Sequence, residues 1–378
     1  MTMQEKIVSL SAHSFFDRES SRESKVMNLS RANQYDTCGP AANTDLGAIY
    51  RAENGRKGCL LFKTLYTNQC SFDCKYCINA RKEKKSSYTP PELAKTFMGL
   101  YRRNLVDGLF LSSGIPRDPE IIMEKMIETL EIVRSRYRFG GYIHMKVLPG
   151  ASYDSIKRAS GLAQRLSINL EAPSKDRLSC LSGTKDYRID ILRRQRWLSG
   201  MNLPCGHTTQ FVVGAGSESD LEILNMLDFE YKNFGIRRGY FSAFSPCRGT
   251  ALEGREKTEK LREVRLYNTD FLLRKYNFNI REIKEILGDD GNLSREDPKV
   301  LVARNYFVKP VDVNSASYDE LLHVPGIGEI SAKRIVERRK RVPIKRRREL
   351  KEMGVVLGRA DAFVKVNGWS QRGVCEYV

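Results

Sequence analysis

The chain has 378 residues, 41% hydrophobic and 29% charged, which is enough apolar material for two or three packed domains and too much for wholesale disorder. Lysine and arginine number 64 against 46 acids, a net charge of +18 that favours a polyanionic partner, most often nucleic acid. No apolar run approaches the roughly 18 residues of a membrane span, and the first residues, with Glu5, Lys6 and His13, lack the apolar stretch of a signal peptide, so a cytoplasmic protein without membrane attachment is expected.

Residues 1–56 are polar, of mixed charge, and are expected to form an N-terminal helical extension. From 57 to 255 short apolar runs alternate with longer amphipathic ones. Strands are expected at 59–66, 108–111, 142–148, 166–170, 208–213 and 239–244. Helices are expected at 91–103, 120–137, 152–160, 187–199 and 218–233. In the second helix Ile121, Ile122, Met126, Leu130 and Val133 recur every three to four positions, and Pro90-Pro91 starts the first where a missing N–H is no loss. Six strand–helix alternations imply a parallel sheet, too few strands for a closed eight-fold barrel but right for an open (β/α)6 one, with the site at the C-terminal strand ends. Residues 256–310 read as a helical connector, and 311–378 as a separate small all-α domain.

Nine cysteines, an odd number in a chain without an export signal, argue against a disulfide framework. Cys38, Cys59, Cys180, Cys205, Cys247 and Cys375 are scattered, and burial is the ordinary state of such thiols. Cys70, Cys74 and Cys77 instead fall within eight residues, in a polar loop directly after a strand. Thiolates at such short spacing suit an iron–sulfur cluster, with one iron of a four-iron cubane left without a protein ligand. Structural zinc is the alternative and would want a fourth ligand.

The stretch Leu65-Tyr66-Thr67-Asn68-Gln69-Cys70-Ser71-Phe72-Asp73-Cys74-Lys75-Tyr76-Cys77 resembles the radical S-adenosylmethionine (radical SAM) superfamily, whose motif is Cys-x3-Cys-x-aromatic-Cys after the first strand of a partial barrel. The resemblance implies a [4Fe–4S] cluster on the three thiolates, SAM on the open iron, and a 5′-deoxyadenosyl radical that takes hydrogen from substrate. It places Tyr76 at the aromatic position. Where the family has a Gly-Gly-Glu-like turn for the methionine amino group, this chain reads Leu111-Ser112-Ser113-Gly114, so backbone carbonyls and the hydroxyls of Ser112 and Ser113 must serve. Strand alternation points His144 with Lys146, and Asn169 with Glu171, at the cavity. By resemblance Asn169 and Glu171 contact the ribose or carboxylate of SAM, and Gly214 and Gly216 pass under adenine. His144 is a catalytic candidate, and Cys247, in the loop after the last strand, is the candidate hydrogen-atom donor.

In the last domain, Leu321-Leu322-His323-Val324-Pro325-Gly326-Ile327-Gly328 followed by Ser331-Ala332-Lys333-Arg334 resembles the helix-hairpin-helix motif. Pro325 ends one helix, and Gly326 and Gly328 allow the tight turn. Ile327 anchors it, and the backbone N–H groups at the next helix start face a phosphate. Lys333 and Arg334 add charge, and residues 350–358 read as an incomplete second hairpin. Contacts of this kind hold backbone rather than bases. Together with Gly108-Leu109-Phe110-Leu111 and Gly141-Tyr142-Ile143-His144-Met145-Lys146, the pattern resembles the DNA modification or repair group of radical SAM proteins. That resemblance implies an enzyme acting on duplex DNA, an electron donor such as ferredoxin or flavodoxin, and a uracil-DNA-glycosylase-like partner. Two other readings stay open: a tRNA- or RNA-modifying radical SAM enzyme, and a non-enzymatic DNA-binding protein with a structural cluster.

Overall fold

The computed structural model describes residues 49–54, 57–80 and 85–370. The helical extension expected in the first 56 residues falls almost wholly outside them, as do Cys38 and Cys375. One compact unit runs to Glu218 and resumes from Asn225 to Glu263; the second takes Ser219–Leu224 and the chain from Val264 onward. The expected connector is therefore divided, and from 264 it is built into the second unit.

The first unit is a seven-stranded sheet in sequential order: β1 Ile49–Asn54, β2 Lys57–Leu65, β3 Gly108–Ser112, β4 Tyr142–Lys146, β5 Arg165–Ser167, β6 His207–Val213 and β7 Arg238–Ala243. Strands β2 to β7 are parallel, and β1, absent from the sequence expectation, pairs antiparallel with β2. The sheet curls into a half-barrel, and its crossovers carry α1 Pro90–Arg102, α2 Pro119–Glu131, α3 Tyr153–Leu162, α4 Lys175–Leu181, α5 Arg193–Ser199 and α6 Asp220–Phe234. Alternation divides the two faces. Phe62, Leu109, Leu111, Ile143 and Met145 are fully buried with Leu93, Phe97, Met123, Met126 and Ile127 of α1 and α2. Each such side chain contributes about 1.5–3 kcal/mol on burial.

Local chemistry starts the helices. Thr89 and Glu92 form a reciprocal capping box before α1, with Pro90 in its first turn. Asp118 caps α2 through the Glu120 N–H at 2.8 Å, again with proline in the first turn. The helix expected to run to Tyr137 instead widens into a π turn at Ile132–Arg136. That turn places Arg134 between α3 and the strand edge, where Nε donates to Leu162 O at 2.8 Å, Nη1 to Phe139 O and Gly141 O at 2.6 and 2.9 Å, and Nη2 to Gln164 Oε1 at 2.8 Å. Strand β5 is shorter than expected because Leu170 N–H leaves the ladder for Thr209 Oγ1 at 3.0 Å.

In the second unit α7 Lys260–Tyr276, which begins in the first, leads to α8 Ile280–Lys284, α9 Pro298–Tyr306, α10 Tyr318–His323, α11 Glu329–Arg341, α12 Arg347–Glu352 and α13 Leu357–Ala360. A small sheet of β8 Val311–Asp312, β9 Val364–Val366 and β10 Trp369–Ser370 is added to the expected helices. Val313, Leu321, Val324, Ile327, Ile335, Ile344 and Leu350 form its core.

Arg134→Met removes four hydrogen bonds from one guanidinium and leaves carbonyls without donors. It is expected to cost about 2–3 kcal/mol, read as a lower urea midpoint with an unchanged denaturant slope.

Candidate functional site

The loop after β2 has no regular structure through Cys70 and Cys74, so its shape comes from what it is bonded to. On one side it is tied to the turn after β3. Tyr66 N–H donates to Ser112 O at 2.7 Å, Thr67 N–H to Ser113 Oγ at 3.3 Å, Gly114 N–H to Thr67 O at 2.8 Å and Ser71 N–H to Ile115 O at 2.7 Å. A Cβ on Gly114 would stand 2.3 Å from Gln69 O, so only glycine allows this approach. On the other side Asp73 reaches the end of α4. Its carboxylate accepts from Ser182 Oγ at 2.6 Å, Thr184 Oγ1 at 2.8 Å and the N–H groups of Gly183 and Thr184. Desolvation would raise this carboxyl, but those donors hold it well below the usual carboxylate range. Lys75 completes the clamp, its N–H on Leu181 O at 2.9 Å and its ammonium on Cys180 O at 3.0 Å.

Cys70, Cys74 and Cys77 thereby line one cleft at the C-terminal strand ends, about 840 Å³ counted out to its open mouth, with Ser112, Lys146, Asn169 and Glu171. Burial pushes the Cys74 and Cys77 thiols up, and Cys70 adds to it; thiolates here need a cationic partner. Among the described residues no three His, Cys, Asp or Glu side chains are grouped as ligands of a single metal ion. A cubane needs no such grouping, because each thiolate takes a different iron. Lys185, which the sequence reading missed, pairs with Glu171 at 3.3 Å with both side chains at or below 10% exposure, and its ammonium hydrogen-bonds Cys74. Tyr76 donates its hydroxyl to Glu171. Glu171 sits at φ +66°, a strained backbone of the kind that gathers at functional sites. It is held by its N–H on Gln210 O and its carbonyl under Val212 N–H, at 2.9 and 2.8 Å. Two buried amide oxygens lining the cleft, Asn79 Oδ1 and Asn169 Oδ1, have no hydrogen-bond partner. Three thiols together with acceptors awaiting donors fit a thiolate-bound cluster and a polar cofactor beside it.

The other expected residues are placed differently. Ser113 lines the cleft, but its hydroxyl donates to Gly114 O at 2.7 Å within the turn. Gly214 and Gly216 lie outside the cleft lining, and their N–H groups donate to the buried Glu218 carboxylate. His144 is fully buried on the inner wall below Lys146, its Nε2 2.8 Å from Ser167 Oγ and its ring edge-on to Phe110 at 4.5 Å. Burial, then Arg165, Lys146 and Lys63, drive its pKa well below the usual value. Cys247 is half-buried, its Sγ 3.9 Å from Ser245 O, and is not among the residues lining the cleft. Asp73 could have been suspected as the only acid between the cysteines; nothing in the sequence pointed to Lys185 or Asn79.

In the second unit α10, capped by the Ser317–Glu320 box, ends at Val324. Gly326 turns at φ +83° with Ile327 only 1% exposed behind it, and Gly328 caps α11. A second hairpin, α12–α13, repeats this arrangement. Leu350, Gly354 at φ +90° and the buried Val355 stand as Leu322, Gly326 and Ile327 do, and Val356 N–H donates to Gly326 O at 3.0 Å, joining the two turns. Lys333 and Arg334 are exposed on α11, with Arg334 also reaching Met353 O at 3.3 Å. Part of the basic tract is tied internally, Arg347 to Asp361 and Arg338 to Glu349. Behind the first turn, buried Lys299 donates to Ile327 O at 2.6 Å, its ammonium 4.4 Å from the Tyr276 ring centroid.

Residues 64–229 match the family model of the radical SAM superfamily, and residues 308–357 that of the helix-hairpin-helix motif. Both modules are present in the chain, and the first makes a [4Fe–4S] cluster and SAM its cofactors. No curated relative matches. Among solved structures the chain is similar to the [FeFe]-hydrogenase maturase HydG from Carboxydothermus hydrogenoformans (12% identity, 57% of this chain and 52% of that one, TM-score 0.46). It is similar to a second structure described as HydG, a maturase of the [FeFe]-hydrogenase (10%, 77% and 80%, 0.47). A third is methylornithine synthase, PylB (16%, 57% and 62%, 0.45). The match thus spans about half of the first of these chains. No described helix is long and apolar enough to cross a membrane.

Gly114→Ala is expected to push the cluster loop off the β3 turn and lower iron and sulfide content after reconstitution, with the far-ultraviolet dichroism unchanged. Lys299 supplies a pH dependence. Desolvation, with Arg359 adding to it, pushes it down from 10.5 to about 7. Between those values the unfolded chain binds the proton and the folded chain does not, so stability rises with pH across that window. Thermal unfolding from pH 7 to 10 is expected to show this rise in the wild type and a flatter profile in Lys299→Met.

Proposed function

We propose that this chain, a radical SAM enzyme with a helix-hairpin-helix motif, modifies or repairs nucleic acid, and DNA rather than RNA. The observation that carries the reading is the presence in one chain of the three-cysteine cleft and a glycine-turned double hairpin on a chain of net charge +18. When bound, the cluster and SAM supply a 5′-deoxyadenosyl radical that takes a hydrogen atom from the substrate.

The chain's own residues divide the work. Cys70, Cys74 and Cys77 hold the cluster. Asn169, Asn79 and the carbonyls around Ser112 and Ser113 offer acceptors to the amino and hydroxyl groups of SAM, and Tyr76 shields the cluster side. Glu171, paired with Lys185 at 3.3 Å, stands beside the cysteines to orient what binds there. Gly326, Ile327 and Gly328, with Lys333 and Arg334, hold phosphates through N–H groups and charge. Binding through such contacts is salt-dependent and poor in sequence preference. Helix-hairpin-helix units favour duplex DNA, and no second compact cysteine group stands in the sequence for the auxiliary cluster of methylthio-transfer enzymes. Reduction by ferredoxin or flavodoxin, a uracil-DNA-glycosylase-like partner and a cytoplasmic setting complete the proposal.

Cys74→Ala is expected to lose 5′-deoxyadenosine formation from SAM under dithionite, down to the level of cluster-free protein, while duplex DNA affinity stays within about twofold, because every phosphate-holding residue of the hairpins is kept. Assays with duplex DNA, single-stranded DNA and tRNA identify the polymer that stimulates SAM cleavage. Stimulation by tRNA alone would replace DNA with RNA in this reading.

A further inference from the structure

The carbonyls of the first hairpin turn are taken up within the second unit itself. Val324 O accepts the Ile327 N–H at 3.2 Å, Gly326 O the Val356 N–H at 3.0 Å and Gly328 O the Ala332 N–H at 2.8 Å. Ile327 O takes the ammonium of Lys299 at 2.6 Å. The N–H groups at the head of α11 have no such partners, because a helix supplies no acceptors for its first turn. Among the described residues no acceptor meets the Gly328 N–H.

Lysine is a costly choice behind such a turn. Lys299 is only 8% exposed, and a buried ammonium gives up its hydration. From α7 it meets the Tyr276 ring, whose centroid is 4.4 Å from the ammonium. Asp297, at the head of α9, places one carboxylate oxygen on the Lys299 N–H at 2.9 Å and the other on Arg359 of α13 at 2.8 Å. The charges that act on Lys299, those of Arg359 and Asp297, are thus paired with each other. The ammonium itself rests on one carbonyl and one ring.

The Ile327 C=O and the Gly328 N–H belong to one planar trans amide, in which the two bonds point opposite ways. An ammonium on the oxygen therefore fixes the N–H in the direction away from Lys299. It also polarises the amide, so that the N–H donates more strongly to an anion. Resting on the nucleic-acid reading of the hairpins, we propose that Lys299, which lies outside the stretch 308–357 that matches the motif, is a positioning residue for a DNA phosphate. It acts through the Ile327–Gly328 amide and does not touch the ligand.

The test titrates the full-length chain into a labelled DNA duplex at constant ionic strength and follows fluorescence anisotropy. At pH 6, where the ammonium is charged, Lys299→Met is expected to bind about fivefold more weakly than the wild type. Burial pushes Lys299 down to about 7, so by pH 9 the wild type has lost that charge and the gap is expected to close to within about twofold. The variant keeps every other titratable group, so the closing of the gap reports Lys299. The amide nitrogen resonance of Gly328 is expected to titrate with the same midpoint in the wild type and to stay fixed in the variant. Lys299→Gln, which keeps a donor without the charge, serves if the methionine variant does not fold, and is expected to show the same gap. Equal affinity at pH 6 overturns the role. A deficit of the same size at both pH values also overturns it, since the lysine would then only prop the turn. A wild type that binds no duplex removes the nucleic-acid reading and this role with it, whereas a wild type that binds duplex no better than the variant leaves that reading and removes the role alone.

Discussion

The site depends on a loop that cannot hold itself. Between β2 and α1 the backbone around Cys70 and Cys74 has no helix or ladder, so the cysteines stand where neighbouring segments put them. Asp73 gathers the end of α4 with one carboxylate, and Gly114 lets the β3 turn lie against the loop backbone. Each bond is worth only about 0.5–1.5 kcal/mol net. Together they set the direction of three side chains, which cluster binding requires more than it requires total stability.

The half-barrel then separates two environments. Its outer face is a close-packed apolar layer against helices, while its inner face carries cations, amides and hydroxyls. Such a wall is costly for stability, since buried polar groups contribute little net and buried charges less. The strained backbone of Glu171 lies at the mouth of this wall, where β5 has left the ladder and returned to it. Local order is given up there so that a carboxylate and a lysine can stand beside the cysteines.

The second unit shows the same economy at another scale. Two glycine turns bonded to each other, with apolar residues behind and a buried lysine on one carbonyl, give a rigid frame for backbone N–H groups. The basic tract beside it is only partly available to a ligand, because Arg347 and Arg338 face acids of the same unit.

Much of this was legible in the sequence. The Cys-x3-Cys-x2-Cys spacing, the alternation of apolar runs and the Pro-Gly-Ile-Gly turn are local patterns, and local patterns survive without coordinates because the 2.0- and 3.6-residue periods and the conformational freedom of glycine are properties of the chain itself. The surroundings of the remaining expected residues depend on contacts between distant segments. His144 was drawn to the cavity by correct alternation, but depth along the strand put it under Lys146 rather than beside it. The turn at Gly214 and Gly216 is shaped by the Glu218 carboxylate, which takes both N–H groups. Strand β1 and helix α4 were missed because their meaning comes from pairing with β2 and from ending against Asp73. Local pattern alone carried the parallel strands of the sheet, most of their helices, the three-cysteine loop and the hairpin turn. Which polar residues share a cleft was settled only in three dimensions, because burial and hydrogen-bond partners arise from segments as much as 111 residues apart.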